Sequence, residues 1–408
     1  MTPVAVYNVR SSSGTREEVG IIPCCPVGHA GAYVSPAQKR HRREKGRWKM
    51  NQQTSEKKKV SVLRVGLDIG KLIASLLVLA IHVIPSPLPE TSYQMGGYLL
   101  IEILARSAVP FFFVTSSFLF YKANRLYDCQ TVASNVSKYI IRIFQIYLFW
   151  FVINLPITLY FRIYIFRDNL VWAVLNQIKA FFLTSTFPSS WFLVACVFSI
   201  LLVQILSKRF SAFAILVLLF PMELLCIVST QYGQSLTQNS VWQAFIKVFA
   251  EPHVSILAGP FYFAVGKYLA EKDDTKRLEK NMLTGIAILS YFGMVGEYAL
   301  SRIENWYYTL NRCFFLIPFV VAVFLLAERY EPKFEVNYKF CSTIRKYSVF
   351  LFCTQWIYIS LLNVLERVNL AFPPQTNYII IVFLSIACYR VYDRIANIDS
   401  LRWLQKML

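Results

Sequence analysis

Two ionisable side chains stand where the chain is otherwise built for hydrocarbon. His82 ends an apolar run that follows R-V-G-L-D-I-G-K (64–71), and Arg106 lies in a second run that continues A-V-P-F-F-F-V-T-S-S (108–117). Charge inside a membrane span is expensive, so such residues mark a site by default. A histidine holds or releases a proton near neutral pH, and an arginine presents a permanent planar cation. Both are groups that acid–base and electrostatic catalysis use. Glu102 precedes Arg106 by one helical turn, the favourable acid-first order, so it either neutralises Arg106 or orients it and leaves it available. For His82 a hydrogen-bonded packing role stands beside the functional one.

Other candidates follow the same logic. Glu223 lies after Pro221 inside an apolar run and is either a proton or acceptor contact or half of a structural pair. His253 follows Glu251 and Pro252 at the edge of another run, within reach of an acceptor. Glu297 and Glu304 flank Trp306, Tyr307 and Tyr308, a composition that suits sugar binding and equally an interfacial aromatic belt, the reading we favour.

The elements that must carry these residues are membrane spans. Of the 408 residues 56% are hydrophobic and only 16% charged, with mean hydropathy +0.46; soluble domains carry about 25% charged residues. The chain reads as an all-α polytopic membrane protein. Its net charge of +19 belongs to cytoplasmic loops, with no need for a nucleic-acid partner. Cys24, Cys25 and His29 form no recognisable zinc spacing, so no metal is expected. Residues 1–60 are a basic tail without periodicity, in which Met50 offers an alternative start; 61–396 form the membrane domain and 397–408 a cytoplasmic tail. Apolar runs predict ten spans at about 65–85, 97–121, 139–161, 190–207, 210–230, 253–270, 282–300, 309–328, 347–365 and 377–393. Residues 170–187 read as an interfacial or re-entrant helix. Lys and Arg collect in the loops after spans two, four, six and eight, for example Lys208/Arg209 and Arg345/Lys346, which places both termini in the cytoplasm. On that layout His82 lies roughly 16 Å above Lys71 and Arg106 about 12 Å below Tyr98, so the two can meet.

These residues resemble the acyltransferase 3 family of ten-span bacterial membrane acyltransferases. That family opens its first span with R-x-x-x-D-x-x-R and a functional His eleven positions on; here stand Arg64, Asp68, Lys71 and His82 at the same spacings. Its second span is similar to Arg106, Val109, Pro110, Phe112, Phe113 and Ser116, and its third to Lys138, Arg142 and Tyr147. Trp191-Phe192-Leu193 and Gly266 also match. Lys71 replaces an Arg and loses the bidentate fork, Ser117 stands where Gly usually follows Ser, and Gln355 replaces a His and cannot titrate.

The resemblance implies acyl transfer, usually acetyl, from cytoplasmic acyl-CoA to a hydroxyl of an extracytoplasmic glycan or lipid-linked precursor, in the bacterial inner membrane. Arg64, Asp68, Lys71 and Arg142 then form the donor's mouth, where cations meet anionic phosphates and Asp68 orients Arg64. His82 acts as general base or transient acyl carrier, and Arg106 stabilises the oxyanion. Glu102, Ser116, Glu223 and His253 fall to the acceptor side. The alternative is a small-solute transporter or flippase that uses the same module without chemistry. Against it, the sequence offers no matched pair of Gly/Pro-broken helices.

Overall fold

The computed structural model describes residues 65–84, 92–165, 167, 169–183, 185–187, 190–249, 251–272, 278–332 and 338–408. Arg64 and the expected tail 1–60 lie outside the described residues. In chain order the helices are α1 (Val65–Val83), α2 (Ser92–Tyr98), α3 (Ala108–Asn124), α4 (Cys129–Tyr160), α5 (Leu170–Leu183), α6 (Trp191–Leu206) and α7 (Ala212–Thr230). They continue with α8 (Ser240–Phe249), α9 (Pro260–Glu271), α10 (Lys280–Ile303), α11 (Leu316–Glu328), α12 (Tyr338–Arg367) and α13 (Pro374–Ala396). The described residues contain no strand.

Among the described residues, seven helical segments are long and apolar enough to cross a bilayer: Val65–Val83, Met95–Asn124, Cys129–Ile165, Ala212–Thr230, Ser240–Glu271, Lys280–Ile303 and Lys339–Arg367. α6 and α11 are apolar but shorter, at 16 and 13 residues. A helix therefore stands at every position where the apolar runs predict a span, and seven meet the length and composition of one. The chain is a multi-pass membrane protein. Its outward faces suit hydrocarbon: Phe144, Leu148 and Val152 on α4 and Leu289 and Phe292 on α10 are all exposed.

Local signals set several boundaries. The Ser211 hydroxyl accepts from the Ala214 N–H at 3.3 Å and caps α7. Pro260 and Pro374 stand in the first turns of α9 and α13, where a missing N–H costs nothing. α3 is the central helix; Phe113 and Val114 are fully buried and its main partner is α9. The two backbones approach closely because Gly266 has no side chain: a Cβ there would lie 2.4 Å from the Val114 carbonyl and 2.7 Å from the Ser117 Cβ. The Ser117 hydroxyl uses the same contact to reach the Phe263 carbonyl at 2.5 Å. Serine in place of the usual glycine is thus absorbed by the glycine on the facing helix. α1 lies against α3 and α12, with the Ser75 hydroxyl donating to the Ser348 carbonyl at 3.0 Å.

Three stretches expected to be regular helix are not. Between α2 and α3 the backbone forms a π turn (Leu99–Ile103) and then a 3₁₀ turn (Leu104–Ser107). Arg106 Nε donates to the Glu102 carbonyl at 3.3 Å, the carbonyl that a regular α-turn reserves for the Arg106 N–H. Between α8 and α9 two 3₁₀ turns, Pro252–Val254 and Ile256–Ala258, replace helix, as Pro252, Gly259 and Pro260 dictate. Residues 304–315 run as turns before α11. Irregular backbone at membrane depth is tolerated where it is buried in protein or lines a cavity, and all three stretches converge on one.

Candidate active site

The cavity is about 110 Å3 and is lined by side chains from those three stretches together with α1, α6 and α12. His82, next to last in α1, and Arg106, in the 3₁₀ turn before α3, both face it, as the sequence predicts. His82 is exposed and makes no hydrogen bond among the described residues. Arg106 is tightly held. Its Nη2 donates to Glu102 Oε2 at 2.6 Å, its Nε to the Glu102 carbonyl at 3.3 Å and its Nη1 to Asn311 Oδ1 at 2.8 Å. Asn311 is steadied in turn by Thr309 Oγ1 at 3.1 Å. Three of five guanidinium N–H groups are thus engaged, and Glu102 orients Arg106 without consuming it.

His253 joins the same wall from the break between α8 and α9. Its Nδ1 lies 3.4 Å from Glu251 Oε2, and Glu251 accepts from the Tyr308 hydroxyl at 3.2 Å. Trp191, Phe192 and Phe352 complete the lining. Phe112, Phe192 and Phe352 pack ring on ring with centroids 5.5–5.8 Å apart, on the side toward Ser116.

Sequence reasoning missed Arg312. It lies in the turns before α11, is 3% exposed and faces the cavity. Its Nη1 stands 3.6 Å from Glu223 Oε1, its Nη2 donates to the Ala258 carbonyl at 3.3 Å, and its guanidinium sits 5.0 Å from the Tyr262 ring centre. The signal was an arginine at the head of an apolar run, the pattern that singled out Arg106. Glu223 is therefore half of a buried pair and does not itself line the cavity.

Other expected site residues lie elsewhere. Ser116 is about two turns beyond Pro110 along α3 and is not among the residues that line the cavity. Arg64, which Asp68 is expected to orient, lies outside the described residues. Both Asp68 oxygens are taken by Arg345, from Nε at 3.1 Å and Nη2 at 3.0 Å, a bidentate pair joining the start of α1 to α12. Arg142 is exposed and donates to the Leu408 carbonyl at 3.2 Å, because the 3₁₀ turn Asp399–Met407 folds back against α4. Lys71 is half-buried near the start of α1. Asp68 and His82 are separated along α1 by roughly 20 Å. Glu297 serves the fold. It accepts from the Phe314 and Phe315 N–H groups at 2.9 and 3.2 Å, capping the approach to α11, and from the Tyr232 hydroxyl at 2.8 Å. Among the described residues no group of three or more His, Cys, Asp or Glu could hold a metal ion.

A multi-pass helical protein whose interrupted helices gather two histidines and two arginines around a small internal cavity is a membrane protein equipped for acid–base and electrostatic chemistry. Residues 64–389 match the acyltransferase domain family, acyltransferase 3, and the chain belongs to it. The family model is described as an acyltransferase domain. The chain is also similar to two proteins of Enterococcus faecalis, each named amino-acid racemase. One is 29% identical over 224 residues, covering 53% of this chain and 29% of that protein. The other is 23% identical over 290 residues, covering 67% of this chain and 38% of that protein. The chain thus spans about a third of the length of these curated relatives. No solved structure matches it.

Proposed function

We propose that this protein is an O-acyltransferase of the bacterial inner membrane with ten crossings and both termini in the cytoplasm. It moves an acyl group, acetyl first of all, from cytoplasmic acyl-CoA to a hydroxyl of an extracytoplasmic glycan or lipid-linked precursor. The observation that carries the reading is that His82 and Arg106, from separate helices, line one cavity, with Arg106 braced by Glu102 and Asn311.

His82 takes the proton of the acceptor hydroxyl while its oxygen attacks the thioester carbonyl. Arg106 receives the negative charge that develops on the carbonyl oxygen. The carbon–sulfur bond then breaks, and the thiolate of coenzyme A leaves with the proton returned by His82. If His82 carries the acyl group instead, a carbon–nitrogen bond to His82 forms as the carbon–sulfur bond breaks, and the acceptor oxygen then attacks the acyl carbon, breaking the carbon–nitrogen bond and leaving the hydroxyl proton on His82, from which the thiolate takes it. Lys71, Arg142 and Arg345 supply cations toward the donor's phosphates. The rings of Phe112, Phe192 and Phe352 must part for the thioester to reach the cavity.

The second reading, passage of a small solute, draws support from the two interrupted helices at Leu99–Ser107 and Pro252–Ala258, since broken helices at a central site are a transporter device. The racemase names belong to proteins of which this chain matches about a third, and no racemisation step is assigned. Purified protein in detergent should hydrolyse acetyl-CoA slowly alone and faster with acceptor, and Arg106→Lys should cut the rate strongly because a point charge lacks the planar fork. No turnover, with solute uptake into vesicles that survives His82→Gln, would refute the enzyme and favour the transporter.

A further inference from the structure

The cavity's lining has an unequal charge pattern. Arg106, Arg312, His82, His253 and Asn311 face it and, among the described residues, no carboxylate does. Arg312 is incompletely satisfied. Its Nη1 has no hydrogen bond among the described residues, and the nearest carboxylate oxygen, Glu223 Oε1, is 3.6 Å away, an ion-pair distance without a hydrogen bond. Both Glu223 oxygens also lack a hydrogen bond, as does His253 Nδ1. Buried ion pairs repay their desolvation only with good geometry and further hydrogen bonds. This pair has no hydrogen bond between its partners, and the Arg312 side chain that it holds also lines the cavity.

We infer that Arg312, with His253 beside it, binds an anionic group of the acceptor, a carboxylate or a phosphate. The inference rests on the acyl-transfer reading and narrows its acceptor class. Arg106 is already braced on two sides and serves the reacting carbonyl; Arg312 gives Nη2 to the Ala258 carbonyl and lines the same wall as a planar cation of the kind that carboxylate and phosphate oxygens fit. The volume agrees. A cavity of about 110 Å3 admits one such group beside a hydroxyl. The acceptor therefore inserts its charged end, and the neighbouring hydroxyl comes to His82.

The test is calorimetric binding by the full chain in detergent, with no acyl donor present. The probes are glucuronate against glucose and glycerol 1-phosphate against glycerol. One anion should bind at least tenfold tighter than its neutral counterpart, and which one does so tells carboxylate from phosphate. Arg312→Lys should weaken that anion roughly tenfold, the worth of a charged hydrogen bond. Glu223→Gln with Arg312→Gln, which removes both charges together, should abolish the preference; should that variant not fold, Arg312→Lys alone decides. Equal binding of anions and neutral probes, or unchanged affinity in Arg312→Lys, overturns the inference. So does displacement of the anion by free coenzyme A, which would assign the group to the donor. Because no donor enters the assay, failure here leaves acyl-CoA turnover standing, and failure of turnover leaves the anion preference standing.

Discussion

Removing one partner of the Glu223–Arg312 pair should be far more damaging than removing both. Glu223 is fully buried and Arg312 is 3% exposed, so neither charge can turn to water when the other is lost. At their 3.6 Å separation the attraction is about 5 kcal/mol with an effective dielectric of 20. Desolvation opposes it, and measured losses on breaking buried pairs are about 3–5 kcal/mol. Because this pair lacks a hydrogen bond, about 3 kcal/mol is expected for Arg312→Met or Glu223→Leu alone. The combined variant leaves no buried charge and should fall within about 1 kcal/mol of the parent, or exceed it. Chemical unfolding in mixed micelles, run on all four proteins as a double-mutant cycle, measures the coupling. Singles that each cost under about 1 kcal/mol, or a double variant as unstable as their sum, would refute the claim that the two charges depend on each other.

His82→Ala should lower acyl transfer to less than about a tenth while acyl-CoA binding, measured by calorimetry, persists, because general base catalysis is worth roughly 10²–10⁴-fold. Gly266→Ala forces a methyl group to within 2.4 Å of the Val114 carbonyl, so it should cost about 1–3 kcal/mol in the same unfolding assay. Ser117→Gly in that background removes the second clash, at 2.7 Å, and should restore part of the loss.

Much of the site was legible because membrane chemistry makes polar residues conspicuous. His82, Arg106 and their apolar surroundings announced themselves, and the Glu102 spacing forecast the brace that holds Arg106 at 2.6 Å. What escaped was anything decided by tertiary contact. Arg312 carries the same signal as Arg106, yet only the fold brings it opposite Glu223. Asp68 was matched to a neighbour in sequence, but Arg345, on a helix 277 positions later, holds both its oxygens. Glu297 looked like part of an aromatic belt, and only the chain's return at Phe314 and Phe315 reveals a cap. Hydropathy also smooths over breaks. The runs around residues 99–107 and 252–259 are apolar enough to read as continuous helix, whereas backbone hydrogen bonding divides them.

The π turn at Leu99–Ile103 has a consequence for how such a protein can change over time. A π turn holds one residue more than an α-turn, so deleting one residue there restores ordinary winding. Everything from Ser92 to Tyr98 would then swing by roughly 100° and shift about 1.5 Å along the axis. Ala108–Asn124 would stay seated against Pro260–Glu271, since that contact lies wholly beyond the break. A single-residue loss can thus re-aim the segment before the break while the packed interior keeps its register.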